Sequence, residues 1–262
     1  MRLTKTKGVI VRQYSEMLAW GTRHELPSTL KEVVDFQMYA IPFPAEAFPN
    51  TEAVVLTMHV QINWIGLLVN GAMYFPVHMD GKAKLHHGGW YLITFGTHVL
   101  KFRDGSVHHT FRPLVYMFVK QRETAESIHL GLYCCNVVAQ RFYQKPFDPQ
   151  VGIADHGPGI RVGFNTYTPR KSLLGCFAHI VWHLTHGKTL KVGHPKHEEV
   201  VNLVKRVHHC ETPGMWNVIT AAIGRLWCAA RICLVSVMYR SCIVHVSIVY
   251  RSCIGHVSDV YR

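Results

Sequence analysis

Apolar residues dominate the chain from about residue 53 onward, and turns rich in Gly, Asp and His interrupt them at short intervals. The apolar runs are AVVLTMHVQINWIGLLV, AMYFPVHM, WYLITFGTHVLKF and TFRPLVYMFVK, which begin at residues 53, 72, 90 and 110. Runs of β-branched and aromatic residues between turn signals are typical of β-strands. The pattern therefore predicts consecutive strands of one sheet.

A helical pattern follows the apolar runs. In ETAESIHLGLYCCNVVAQRF the apolar positions recur at alternating intervals of three and four residues, which places them on one face of a helix that we expect to cover the sheet. QVGIAD then predicts a buried strand that ends at Asp155, and KSLLGC and FAHIVWHLTHG predict a further strand and helix. This order of elements predicts an α/β fold, with a mixed sheet flanked by helices. The stripe consists of Ala125, Ile128, Leu132, Cys135, Ala139 and Phe142.

The two ends of the chain differ from this central part. Residues 1–52 predict an N-terminal appendage with one helix, in STLKEVVDFQMYA, capped by Ser28 and ended by the prolines that follow. HPKHEEVVNLVKRVHH predicts a C-terminal helix, with its acids first and its bases last, and residues 213–238 predict a further helical segment. Residues 239–262 repeat YRSCIVHVSIV as YRSCIGHVSDV, which predicts an irregular, poorly packed tail because two units are too few for a solenoid. The central α/β domain is expected at 53–212.

The charge of the chain is strongly positive. Lys and Arg number 28 against 16 Asp and Glu, which gives a formal net charge of +12. A polyanion is therefore a natural partner, and nucleic acid is favoured over a membrane surface. The longest apolar stretch contains Arg225 and Arg231, which argues against a transmembrane span. The N-terminus lacks the apolar core of a signal peptide, and the eight cysteines are irregularly spaced, so we expect an intracellular protein with free thiols.

Carboxylates are scarce between residues 53 and 180, so each can be considered in turn. Two of them belong to the first turn of the predicted helix, where they offset its dipole, and two belong to ordinary turns. Asp80 and Asp155 remain, and each follows an apolar segment and precedes a turn that contains Gly. Carboxylates at the ends of neighbouring strands can hold two hard cations, although an Asp before Gly is also a common turn. The full set is Asp80, Asp104, Glu123, Glu126, Asp148 and Asp155.

Cys176 and His179 are three positions apart at the start of a predicted helix, like half of a zinc site. A structural zinc site needs four ligands, and His183, four positions beyond His179, is the best placed of the further candidates. The alternative is a buried thiol and a hydrogen-bonded imidazole that pack the start of the helix. The other candidate ligands are His186, His208, His209 and Cys210.

Four basic residues flank the proposed carboxylate site in the sequence. They are candidates for contacts to DNA phosphates, and the alternative for each is an ordinary solvated charge. The residues are Lys82, Lys84, Arg103 and Arg112.

Four segments taken together resemble the transposase domain of Mutator-like elements, the MULE family, over roughly residues 70 to 210. They are DGKAKLHHGGWYLITFGTH, HHTFRPLVYMFVKQR, IADHGPGIRVGF and LLGCFAHIVWHL. The resemblance implies an RNase H-like fold, with Asp80 as the first catalytic acid and Asp155, at the end of the fourth strand, as the second. Cys176 and His179 resemble the CxxH motif of the family, which follows the second acid.

The resemblance implies cut-and-paste DNA transposition. Asp80 and Asp155 would be ligands of Mg²⁺ or Mn²⁺, the reaction would hydrolyse a phosphodiester and transfer the freed strand, and Zn²⁺ would be a further candidate cofactor. The partners would be transposon ends and target DNA, and the location would be the nucleus; a homo-oligomer is compatible with this function.

The third acid of the family is a Glu on a helix well downstream. The acids after His179 come too early for it or lie in the tail repeat, so we expect a chain truncated on its C-terminal side and an incomplete transposase. The alternative function is a non-catalytic DNA-binding protein derived from a transposase. These late acids are Glu198, Glu199, Glu211 and Asp259.

Overall fold

The computed structural model describes six continuous stretches of the chain and single positions between 179 and 205. The chain divides into two compact units, Met1–Leu173 and Leu174–Arg262. The predictions for residues 213–238 and 239–262 lie outside the described residues. None of the described helices is both long enough and apolar enough to cross a membrane. The continuous stretches are 13–71, 75–82, 89–103, 106–120, 123–155 and 157–176.

A seven-stranded mixed sheet is the centre of the fold, with the strand order β1-β2-β5-β4-β3-β6-β7. β3 pairs with β6 in parallel, whereas the β1–β2, β2–β5, β5–β4 and β4–β3 pairs are antiparallel. The predicted α/β class, a mixed sheet flanked by helices, is confirmed. The strands are β1 (Met38–Ala40), β2 (Ala53–Met58), β3 (Pro76–Lys82), β4 (Tyr91–Arg103), β5 (Ser106–Val119), β6 (Val151–Ala154) and β7 (Ser172–Gly175).

Four α-helices accompany the sheet in the described residues. The predicted apolar stripe lies on α3, where Ile128, Leu132 and Cys135 are fully buried. Thr124 caps this helix, because its side chain accepts the N–H of Ser127 and the Ser127 hydroxyl accepts the N–H of Thr124. The helices are α1 (Tyr14–Arg23), α2 (His59–Asn70), α3 (Ala125–Tyr143) and α4 (Pro158–Tyr167).

One face of the sheet carries the main core. α2, α3 and α4 all contribute side chains to it, and successive strand residues alternate between this face and the opposite one. On β3, for example, Val77 and Met79 are buried in this core while His78 and Asp80 are more accessible. We call the first face the helix face and the second the open face. α1 packs on the open face, over Val54 of β2.

The predicted strand in residues 53–69 is wrong beyond Met58. β2 ends there and α2 begins, burying Ile62 and Ile65 on the helix face. Ile62 and Ile65 are three positions apart, which is a helical spacing. Because most other residues of the run are also apolar, this spacing does not stand out in the sequence.

The predicted helix in residues 28–40 is also wrong. Only a single 3₁₀ turn forms, at Leu30–Glu32, and β1 follows it. The Glu32 carboxylate accepts the backbone N–H groups of Ser28 and Thr29, and Phe36 has a positive φ of 63°, which a helix does not allow. β1 then pairs with β2, so this part of the expected N-terminal appendage forms an edge strand of the sheet.

Candidate functional site

Asp80 and Asp155 lie at neighbouring positions of the parallel strand pair. The register of β3 and β6 runs from Pro76 opposite Val151 to Met79 opposite Ala154. Asp80 follows Met79, and Asp155 follows Ala154. Because paired strands lie about 4.8 Å apart, Asp80 and Asp155 are close neighbours along the backbone. The expectation that Asp80 ends its strand is wrong, since β3 continues to Lys82.

The two acids belong to the open face of the sheet. Met79 and Ala154 are almost completely buried, so the alternation of side chains directs Asp80 away from the helices. Asp80 is exposed and Asp155 half-buried. The Asp155 Oδ1 atom accepts the backbone N–H of Gly157 at 2.9 Å, which leaves the second carboxylate oxygen for another partner.

Pro76, unexpected inside a strand, is the first residue of β3. A proline is tolerated there because its missing N–H interrupts no ladder between two neighbours. Its carbonyl accepts the Thr97 hydroxyl at 2.7 Å, which ties the start of β3 to β4. The strand that carries Asp80 is therefore anchored on both sides.

A third carboxylate, that of Glu123, approaches the same end of β3 from the helix face. A Cβ atom on Gly81 would overlap the Glu123 Oε1 atom, so the carboxylate lies directly against this glycine. Glu123 precedes the cap of α3, and its expected place in the first turn is therefore wrong. Gly81 follows Asp80 directly, and its missing side chain makes room for the contact.

The donor set at this edge suits a hard cation. Mg²⁺ is usually held by one or two carboxylates, and waters and substrate phosphates complete its shell. Asp80 and Asp155 supply two such carboxylates. Within the stretches that the structure describes, no group of three or more His, Cys, Asp or Glu side chains converges as a metal site.

The other acids considered in the sequence are engaged elsewhere or lie outside the described residues. Glu126 accepts three hydrogen bonds from Asn50 and Thr51, and Asp148 accepts one from Lys171 at 3.4 Å. Asp104 is not among the described residues.

Three of the four predicted DNA contacts belong to strands that the structure describes. Lys82 ends β3, two positions after Asp80, whereas Lys84 lies outside the described residues. Thr94 of β4 is the pairing partner of Asp80, and Arg103 ends β4 nine residues further on. Nine residues of strand span about 30 Å.

Arg112 lies on the helix face, away from the carboxylates. Its guanidinium carbon lies 5.1 Å from the ring centroid of Trp64 in α2. This cation–π contact gives Arg112 a packing role that its charge alone did not indicate.

Cys176 and His179 belong to the second unit. Cys176 follows β7 directly and carries a free, half-buried thiol, and His179 occupies a helical position. His183 lies outside the described residues, as do His208, His209 and Cys210. Zinc binding by Cys176 and His179 therefore stays a prediction.

Comparison with models of known protein families and with curated proteins finds no match to this chain.

Proposed function

We propose that this chain is a DNA transposase of the Mutator-like type, in which Asp80 and Asp155 bind a divalent cation. One observation carries the proposal: the parallel register of β3 and β6 puts these two acids on neighbouring strand positions. They were selected from the sequence because they end two apolar segments that are 75 residues apart (155 − 80). Two carboxylates on neighbouring strand positions are suited to hold a divalent cation, which metal-assisted phosphoryl transfer uses.

The order of elements supports an RNase H-like fold as part of the same proposal. β3, β4 and β5 follow one another as antiparallel neighbours, α3 comes next, and β6 then returns parallel to β3. Counted from β3, β6 is the fourth strand, and Asp155 follows its end. This is the position that the resemblance assigns to the second acid.

The chain itself contributes position and charge to the proposed reaction. Asp80 and Asp155 would hold the cation on the open face of the sheet. A bound Mg²⁺ or Mn²⁺ would supply the activation of a water or 3′-hydroxyl and the stabilisation of the leaving oxygen. The net charge of +12 attracts the phosphate backbone in a salt-dependent manner.

The decisive experiment is a nicking assay on DNA with Mn²⁺ or Mg²⁺, applied to the unmodified chain and to Asp80→Asn and Asp155→Asn. Each variant removes one carboxylate charge and keeps the shape of the side chain, so we expect nicking to fall by at least 100-fold, about 2.7 kcal/mol of transition-state stabilisation. Asp148→Asn is the matched control, because Asp148 is exposed and pairs with Lys171. Nicking that persists in both site variants would contradict the proposal.

A non-catalytic DNA-binding protein is the second candidate. The observation in its favour is that the described residues contain only two acids on neighbouring strand positions and no convergent group of three. In that case the unmodified chain binds DNA with a steep salt dependence, neither Asn variant changes the affinity, and no nicking occurs with either metal.

A further inference from the structure

Two histidines meet on the open face, on strands β3 and β4. His78 is paired with Gly96, and His98 is two residues further along β4, so the two imidazoles are diagonal neighbours across the strands. The His98 Nδ1 atom lies 2.9 Å from the His78 Nε2 atom, and the ring centroids are 4.1 Å apart. Twenty residues of sequence separate the two positions, and no sequence motif connects them.

The pairing of β4 with β5 is irregular beside the two histidines. The register of these two strands shifts between Phe95 and Gly96, and such irregularities are common next to functional sites. Gly96 has no side chain opposite His78, and the Phe111 ring occupies the space that a Cβ would take. Phe111 lies 5.4 Å from the His98 ring and 6.4 Å from the His78 ring, so it shields one side of the pair.

We propose that His78 and His98 together bind a divalent transition-metal ion such as Zn²⁺ or Ni²⁺. Two nitrogens that bind one ion at about 2.0–2.1 Å lie roughly 2.9–3.4 Å apart, and the 2.9 Å between these atoms falls at that spacing. Neutral imidazole suits Zn²⁺, Ni²⁺ and Cu²⁺, whereas Mg²⁺ prefers oxygen ligands. The two bonds to the ion replace the hydrogen bond between the two nitrogens.

Metal binding requires a free lone pair on both nitrogens. The ring that donates the present hydrogen bond must therefore carry its proton on its other nitrogen when the ion is bound. Within the part of the chain that the structure describes, no third His, Cys, Asp or Glu side chain converges on this pair. The pair differs from the proposed carboxylate site in its nitrogen donors, and the proposal does not depend on the transposase proposal.

Calorimetric titration of the full chain with Ni²⁺ tests the proposal. The chain has many other histidines, so the informative quantity is the difference between variants. We expect His78→Gln and His98→Gln each to lose about one equivalent of bound Ni²⁺ per chain, and the double variant to lose the same single equivalent, because both rings serve one ion. His129→Gln is the matched control, since His129 is also half-buried and packs against aromatic rings. The proposal would be overturned if both single variants bound as many equivalents of Ni²⁺ as the unmodified chain, or if the double variant lost two equivalents.

A second measurement uses the unmodified chain and does not depend on variant folding. Diethyl pyrocarbonate labels accessible imidazole nitrogens, and peptide mapping reports the labelling of each histidine. We expect Ni²⁺ to protect His78 and His98 together and to leave His129 unchanged; equal labelling of the pair with and without Ni²⁺ would contradict the site. The Asp80→Asn variant should bind as many equivalents of Ni²⁺ as the unmodified chain but should lose metal-dependent nicking. The two proposals can therefore fail independently of each other.

Discussion

The two faces of the sheet differ in what they bury. On the helix face, Ile93 and Phe95 of β4 are completely buried under the helices. On the open face, the alternate residues Leu92, Thr94 and His98 of the same strand are only half-buried. One strand therefore contributes to a dry apolar core on one side and to a partly wet surface on the other.

This difference separates the residues that hold the fold from those that are candidates for chemistry. Apolar burial stabilises in proportion to the area removed from water, so the helix face supplies most of the stability. The carboxylates of Asp80 and Asp155 and the imidazoles of His78 and His98 all lie on the side that the three helices leave open. Polar groups there keep access to water, ions and ligands without a large desolvation cost.

Adjacent substitutions on β4 should reveal the largest contrast between the two faces. Phe95→Ala removes a fully buried ring that lies against Gly131 of α3, and we expect a loss of about 3–5 kcal/mol in the free energy of unfolding. Thr94→Ala, one residue away on the open face, should cost less than about 1 kcal/mol. Denaturant unfolding of both variants measures the difference, and similar losses would show that the open face is packed as tightly as the core.

Two glycine-to-alanine substitutions should give a smaller contrast. An alanine is normally favoured over glycine within a helix by about 1 kcal/mol, but a Cβ on Gly163 of α4 would overlap the carbonyl oxygen of Ala125. Because this neighbour is backbone, we expect Gly163→Ala to destabilise the protein by about 1–3 kcal/mol.

Gly81→Ala is the companion variant, since a Cβ there meets only the flexible end of Glu123. The carboxylate can move aside, and the expected loss is less than about 1 kcal/mol. Thermal melting of the two variants compares them directly. A stabilised Gly163→Ala protein would mean that α3 and α4 are not in backbone contact at this point.

The elements that the sequence predicted well are those whose local signals agree with one another. α3 has a complete apolar stripe and a capping threonine, and β6 is a short apolar run that ends in a turn. α2 was mistaken for strand because its residues are apolar on nearly all sides. α4 was not predicted at all, because its start, Gly157 and Pro158, was taken only as a turn, although proline is common in the first turn of a helix.

Only part of the candidate site could be predicted, because some of its contacts join residues that are distant in the sequence. Asp80 and Asp155 could be selected because scarcity and strand-end position single them out in the sequence. The contact of Glu123 with Gly81, 42 positions away (123 − 81), depends on how α3 meets the end of β3. The contact of His78 with His98 depends on the register of β3 and β4. Neither feature has a local sequence signal.

The smallest predicted effect concerns Glu126, a carboxylate in the first turn of α3. Burial of this carboxyl would raise its pKa, but the hydrogen bonds from Asn50 and Thr51 outweigh burial and lower the pKa below 4.5. A lowered folded-state pKa gives stability that is present above the unfolded-state pKa and is lost as the pH falls through the folded-state value. Near pH 7, Glu126→Gln should therefore lower the free energy of unfolding by less than about 1 kcal/mol, and this deficit should shrink as the pH falls below the ordinary pKa of a glutamate. Melting curves across this range measure it, with the exposed Glu46→Gln as the control; a deficit independent of pH would mean that the charge of Glu126 does not strengthen its bonds to Asn50 and Thr51.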